Sequence, residues 1–334
     1  METLVLPSVC VFFPLPGNES TNLVILAKVS PRLGTSLCGI PFKTPVLAAS
    51  GTFAYGVELA KLIPLDQIGG IVTKGISRQP IEGNPAPRLF ETPSGMLNSV
   101  GLQNIGVRAF VAGKLPQLRT FSTPILVNVF GYEVADYVEV IRVLEDAEGI
   151  AAYELNVSCP NTSHGGMYFS SDPGLLHEVV SAARAAARRP LLVKLSPNVA
   201  RIEPLAHAAV EAGADALSLI NTFIALAIDP ITRRPQLGNG FGGLSGPAIK
   251  PIALRMVWEA FQAVKVPIIG LGGISCGIDA AEFMIAGASA VEVGTANFWD
   301  PQAPLRIARE LDGFLISQNI ARASDLVGTL QMPR

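Results

Sequence analysis

The residues in this chain best equipped for chemistry lie in Asn156-Val157-Ser158-Cys159-Pro160-Asn161-Thr162-Ser163-His164-Gly165-Gly166. An amide, a thiol and an imidazole follow the apolar run Ala151 to Leu155 and precede Asp172-Pro173, a pair suited to cap and open a helix. A thiol becomes a useful base once its pKa falls by roughly one or two units, which nearby cations supply. His164 is the rival base, but its Gly-Gly neighbours suit a covering loop better than a fixed catalyst. The plainer reading is an Asn/Ser-rich turn around a small buried cysteine, since free cysteines commonly behave as core hydrophobes. This stretch alone does not separate the two.

More polar groups recur at the ends of apolar runs. Ser50, Lys74, Asn128, Asn156, Lys194, Asn221-Thr222, Gly272-Gly273 and Gly294-Thr295 each end or follow one. Any one of them could be a solvated end group, but lysines and asparagines converging on one mouth point to a ligand. Each asparagine offers a donor and an acceptor, which suits a planar, amide-rich molecule. Asn98, in Asn98-Ser99-Val100-Gly101-Leu102, lies in a long loop that could fold over it. Lys74 or Lys194 would place positive charge beside a ring that gains electrons. The glycine pairs at 272–273 and 294–295, with Gly246 in Gly242-Gly243-Leu244-Ser245-Gly246, lead into helical patterns. Such turns present backbone N–H groups to a phosphate, although any single pair could merely permit a tight turn.

Eight short apolar runs must position these groups: Val46–Ala49, Gly70–Thr73, Ile125–Asn128, Ala152–Asn156, Leu191–Leu195, Ala216–Ile220, Pro267–Leu271 and Ala290–Val293. Helical patterns alternate with them over roughly 56–63, 106–118, 133–147, 173–188, 201–213, 247–264, 276–287 and 301–317. Runs that are apolar throughout indicate strands buried on both faces, hence a parallel sheet. Eight such units predict an α/β fold, a (β/α)8 TIM barrel. A doubly wound sheet is the competitor, but Ala49-Ser50-Gly51-Thr52 after the first strand lacks the G-x-G-x-x-G turn. Short extended pieces around Cys38-Gly39 predict an N-terminal hairpin that plugs the barrel's closed end. Two connections, Gly75 to Asn104 and Asn221 to Gly246, are far longer than usual and fall on one face. Long loops there commonly cover a site. The second should contain a hairpin around Asp229-Pro230-Ile231-Thr232.

The chain has 334 residues, 49% of them hydrophobic and 16% charged, with net charge −2. One barrel accounts for nearly all of that length, and the charge gives no case for nucleic acid. Cys10, Cys38, Cys159 and Cys276 form no CxxC pair, which argues against a zinc site, a cluster or a disulfide framework and suits a reduced, cytoplasmic setting. Cys10, Cys38 and Cys276 lack polar company and read as structural, and His177 and His207 as helix-face residues. No apolar run reaches the ~20 residues that span a bilayer. Residues 1–29 read as a poorly ordered extension broken by Pro7, Pro14 and Pro16, with Val29 or a nearby codon a candidate start. Residues 30–334 are the expected catalytic domain.

Four motifs resemble the dihydroorotate dehydrogenases, class 1B above all: Asn156-Val157-Ser158-Cys159-Pro160-Asn161, Val193-Lys194-Leu195-Ser196-Pro197, Gly243-Leu244-Ser245-Gly246-Pro247 and Gly294-Thr295-Ala296-Asn297. The resemblance runs in one register from about residue 30 to the end. It implies a barrel that holds FMN and oxidises dihydroorotate to orotate in pyrimidine (UMP) biosynthesis. It assigns FMN binding to Ser50, Lys74, Gly75, Asn128, Asn156, Lys194, Ile220, Gly246, Gly272, Gly273, Gly294 and Thr295. Lys74, Asn98, Ser99, Val100, Gly101, Leu102, Asn156, Asn221 and Thr222 would hold the pyrimidine. Cys159 would take the C5 proton while the C6 hydride passes to the flavin. Class 2 enzymes use a serine base and an N-terminal membrane segment, neither of which is expected here.

Class 1B membership also implies a homodimer of this chain joined by an iron–sulfur flavoprotein into a heterotetramer. FAD and a 2Fe–2S cluster on that partner would pass electrons to NAD. A class 1A-like enzyme using fumarate without a partner is the alternative, as is a related flavin-dependent pyrimidine reductase. A non-catalytic flavin module would keep the glycines but have no need of Cys159.

Overall fold

Each of the eight apolar runs folds as a strand within one residue of the expected bounds. The computed structural model describes residues 29–157 and 166–333. In chain order the strands are β1 (Thr35–Leu37), β2 (Ile40–Phe42), β3 (Val46–Ala48), β4 (Ile71–Val72), β5 (Leu89–Thr92), β6 (Gly95–Asn98), β7 (Ile125–Val129) and β8 (Ala152–Asn156). There follow β9 (Leu191–Lys194), β10 (Ala216–Leu219), β11 (Phe223–Ala225), β12 (Ile228–Asp229), β13 (Arg234–Pro235), β14 (Gly242–Ser245), β15 (Ile268–Leu271) and β16 (Ala290–Val293). β3, β4, β7, β8, β9, β10, β15 and β16 close into a parallel barrel in that order. This is the expected (β/α)8 architecture.

Side-chain alternation explains why these strands read as apolar throughout. Val46, Ile71, Val127, Tyr153, Val193, Leu217, Ile268 and Val291 face outward into the large core shared with the helices. Leu47, Val72, Leu126, Ala152, Leu192, Ala216, Ile269 and Ala290 face inward and fill the barrel's lower interior. The hairpin plugs that end as expected: Leu37 of β1 and Phe42 of β2 pack into the same cluster. Its turn residues Cys38 and Gly39 take φ 51° and 78°, the positive angles a tight hairpin demands. The Cys38 thiol donates to the Asp215 carbonyl at 3.4 Å, and burial with the Asp215 charge pushes its pKa up to about 11, so it is inert at neutral pH.

The helical patterns hold in seven of the eight places, from 107–118 to Ala303–Ser317. Asp172 caps the helix Pro173–Ala186, its Oδ1 accepting from the Leu175 amide at 2.9 Å. The stretch 107–118 includes a π-helical turn at Phe110–Lys114, because Pro116 has no N–H to donate back to Ala112. The helix expected over 56–63 does not form. A 3-10 turn, Val57–Leu59, stands in its place, followed by another at Leu65–Gln67. Gly56 at φ 96° and Pro64 leave too few residues between them for a stable α-helix.

The two long connections do more than cover the barrel. β5 and β6 come from the first, β11 and β14 from the second, and they join in one antiparallel sheet ordered β11-β14-β6-β5. Leu244 lies opposite Leu97, and Gly243 opposite Asn98. The expected hairpin at Asp229 is also present, β12 pairing with β13 while Asp229 Oδ1 accepts from the Ile231 amide at 2.8 Å. The extension with Cys10, and Cys159 and His164, lie outside the described residues.

Candidate active site

The barrel strands and the four-stranded roof enclose a cleft of about 1260 Å³ of empty space, its open mouth included. It lies at the C-terminal mouth of the barrel, where barrels of this kind bind their ligands. Ser50, Lys74, Gly75, Asn156, Lys194, Ile220, Gly246, Gly272, Gly273, Gly294 and Thr295 line it from the barrel side, and Asn98, Val100, Gly101, Leu102, Asn221 and Thr222 from the loops. Two of the expected residues do not line it. Asn128 is buried beneath the floor, where its Nδ2 donates to Glu154 Oε1 at 2.7 Å. Ser99 is buried behind the roof, its Oγ accepting from Asn84 Nδ2 at 2.9 Å.

The glycine turns converge because no other residue permits it. Gly246 has φ 93° and ψ −169°, a conformation essentially restricted to glycine. A Cβ there would lie 2.7 Å from Gly95 Cα. Gly273 has φ 81°, and a Cβ on it would lie 2.8 Å from the Gly246 carbonyl oxygen. Three backbone segments thus meet in one wall of the cleft and lead into the helical turns Pro247–Ile249 and Thr295–Phe298 and the helix Gly277–Ala286. Thr295 Oγ1 donates to Ser245 Oγ at 2.8 Å and ties the end of the second long connection to strand β16. Such a wall fits the phosphate of FMN.

Amides gather in the same cleft. Asn221 Nδ2 reaches Asn156 Oδ1 at 3.4 Å, while Asn221 Oδ1 accepts from the Thr222 amide at 2.8 Å. The Tyr137 hydroxyl, fully buried, donates to the Asn156 carbonyl at 3.0 Å and fixes the end of β8. Asn98 Nδ2 donates to the Gly243 carbonyl at 3.3 Å, across the roof. Asn198 anchors the second connection: its Nδ2 donates to the Thr222 carbonyl at 3.0 Å and its Oδ1 accepts from the Ile224 amide at 2.9 Å. Asn198 was not anticipated; its signal was the Ser196-Pro197-Asn198 turn directly after a strand.

The charges differ from expectation. Lys74 lines the cleft, and burial, then the Arg88 charge, lower its pKa against the pull of Glu58. Lys194 belongs to a buried cluster, its Nζ standing 3.7 Å from Glu154 Oε1 and 3.5 Å from Glu292 Oε2. Burial alone would lower the Lys194 pKa, but the two carboxyl groups outweigh it and raise it. Lys194 thus lies between the cleft, which it lines, and carboxyl groups beneath it. Sequence reading missed Glu154 and Glu292, although the signal was there: each interrupts a run otherwise apolar, and each has no exposure.

Comparison with known proteins agrees with this geometry. The family model described as dihydroorotate dehydrogenase matches residues 32–315. A protein of Solibacter usitatus (strain Ellin6076) named putative dihydroorotate dehydrogenase A (fumarate) is 69% identical over 91% of this chain and 100% of its own length. The catalytic subunit of dihydroorotate dehydrogenase B (NAD(+)) of Geotalea uraniireducens (strain Rf4) is 53% identical over 90% of this chain and 98% of its own. Among solved structures, DHODH from Eimeria tenella in complex with ferulenol superposes with a TM-score of 0.79 at 25% identity, covering 91% of this chain and 90% of that one. A barrel roofed by its own long loops, a cleft lined by glycine turns and amides and a family match across most of the chain lead to one conclusion: this protein is an enzyme of the dihydroorotate dehydrogenase family.

Proposed function

We propose that the chain oxidises dihydroorotate to orotate on a resident FMN and is the catalytic subunit of a two-protein enzyme that delivers electrons to NAD. One observation carries the first part: a single cleft is lined both by a glycine wall suited to a phosphate and by the amides of Asn98, Asn156 and Asn221. When bound, FMN supplies the acceptor for the hydride. Gly246, Gly272, Gly273, Gly294 and Thr295 hold its phosphate, while Ser50, Lys74, Gly75, Ile220 and Lys194 line the remainder of its site. Asn128 supports that floor from below. Asn98 to Leu102, with Asn156, Asn221 and Thr222, bind the pyrimidine through paired donors and acceptors. Cys159, three residues beyond Asn156, takes the C5 proton.

The second part rests on what the chain lacks for dinucleotide chemistry. Gly238-Asn239-Gly240-Phe241-Gly242-Gly243 has the G-x-G-x-x-G spacing. It joins β13 to β14 and opens no helix, so it does not form a dinucleotide-binding turn. Among the described residues no group of three or more His, Cys, Asp or Glu could hold a metal. The relatives named catalytic subunits of dihydroorotate dehydrogenase B (NAD(+)) support the reading of an iron–sulfur flavoprotein partner bearing FAD and a 2Fe–2S cluster, with two copies of this chain in the complex. No helix among the described residues is long and apolar enough to cross a membrane, and a cytoplasmic setting accompanies the class 1 reading. The fumarate reading has its own support in the 69% identical Solibacter relative. Purified chain supplied with dihydroorotate separates the two: it should reduce dyes, and NAD once the partner is added. Efficient fumarate reduction by the chain alone would transfer it to class 1A.

A further inference from the structure

Beneath the cleft, three ionisable side chains share a space with too few opposite charges. Glu154, Lys194 and Glu292 come from β8, β9 and β16 and point into the barrel one layer above its apolar base. Were both carboxyl groups ionised, the cluster would carry net negative charge in a site sealed from water, an arrangement that burial penalises heavily. The hydrogen bonds distinguish the two carboxyl groups. Glu154 accepts from Asn128 Nδ2 and from Ser218 Oγ, each at 2.7 Å, and donors of this kind stabilise a carboxylate. Neither oxygen of Glu292 meets a donor at such a distance: its nearest polar contact is the Lys194 ammonium, 3.5 Å from Oε2, with Glu154 beside it. Its neighbours in the flanking strands, Leu47 and Leu271, supply none. The charged groups facing it are Lys194 and Glu154.

We propose that Glu292 is a positioning residue that stays protonated in the folded barrel, leaves Glu154 as the sole anion beside Lys194, and so keeps the cleft floor free of net negative charge. Lys194 is then held by one carboxylate rather than two, and its ammonium can meet negative charge that develops in the cleft above. Glu292 acts through Lys194 and touches no ligand. Burial first, then the Glu154 charge, push its carboxyl well above the usual carboxylate range, against the pull of Lys194, in the same direction as the geometry.

The sign of the pH effect follows. A carboxyl whose folded-state pKa is raised contributes most stability below its unfolded value of about 4.3 and loses it as pH rises toward the folded value. Glu292→Gln removes that loss. In flavin-free protein, the variant should be more stable than wild type at pH 7, and the ratio of their unfolding constants should grow by up to about tenfold per pH unit from about pH 5 upward. Glu292→Met, also uncharged, should share the sign, whereas Glu154→Gln should destabilise by removing the anion beside Lys194. If Glu292→Gln and Glu292→Met are both less stable than wild type at pH 7, or fail to fold, Glu292 is an anion paired with Lys194 and the proposal falls. A second arm rests on the flavin reading above. In FMN-loaded protein at pH 7, Glu292→Gln should shift the reduced-to-oxidised ratio at fixed potential by less than threefold. A tenfold shift toward the reduced form, about 30 mV for two electrons, would mean that the substitution removed a real negative charge and would overturn the proposal. Failure to load FMN would refute the flavin reading alone, because the stability arm needs no flavin.

Discussion

Gly246→Ala tests the glycine wall at the point where the barrel and its roof meet. The backbone there has φ 93° and ψ −169°, and holding a residue with a side chain in so sparsely populated a region costs on the order of 1–3 kcal/mol. The new methyl would also lie 2.7 Å from Gly95 Cα, a backbone atom that cannot rotate away. Gly95 begins β6, and Met96 is registered against Ser245, so relief requires the two long connections to separate. Overpacking of this kind adds roughly 1–3 kcal/mol. A total near 3–4 kcal/mol, expressed as displacement of the wall, should weaken FMN binding by roughly 10²- to 10³-fold, at about 1.4 kcal/mol per factor of ten. Titrating flavin-free protein with FMN and following flavin fluorescence gives the affinity, and thermal unfolding gives the stability. Gly95→Ala should behave alike, since its Cβ would lie 2.0 Å from the Ser245 carbonyl oxygen. Wild-type affinity and melting temperature in Gly246→Ala would refute the argument that this wall holds the cofactor by close backbone approach.

Cys159→Ala should keep its flavin yet lose dihydroorotate-driven flavin reduction by about two to four orders of magnitude at neutral pH, and Cys159→Ser should fall between and recover at alkaline pH; stopped-flow absorbance distinguishes them, and a near wild-type rate in the alanine variant would discard the base assignment. Gly313→Ala, exposed within the helix Ala303–Ser317 with nothing near its added methyl, should raise stability by about 0.4–1 kcal/mol without altering flavin binding, as chemical denaturation would show.

The barrel was legible in the sequence because eight uninterrupted apolar runs leave a parallel sheet few alternatives. The site was legible for a related reason: strand ends converge in a barrel, so Ser50, Lys74, Asn156 and Gly294 could be placed together by their positions alone. Two kinds of feature were not. Pairing between loops depends on contacts far apart in sequence, so nothing local revealed that β6 and β14 would join above the mouth. Alternation within a buried strand was obscured as well. Asn128 reads as a strand-end ligand, but its position on β7 places it a layer lower, beside Glu154. Glu154 and Glu292 went unassigned because a search along strand ends passes over charges in strand interiors. The missing helix at 56–63 shows the limit of periodicity when Gly56 and Pro64 bracket so short a pattern.

The central claim is that one cleft brings dihydroorotate and FMN together for hydride transfer. Its most direct test is to purify the chain, identify the bound flavin, exclude oxygen and add dihydroorotate while following the flavin's visible absorbance. The account predicts FMN at one per chain, rapid bleaching, and orotate formed in equal amount. FMN that stays oxidised in the presence of excess dihydroorotate, in protein that a chemical reductant bleaches normally, would contradict it.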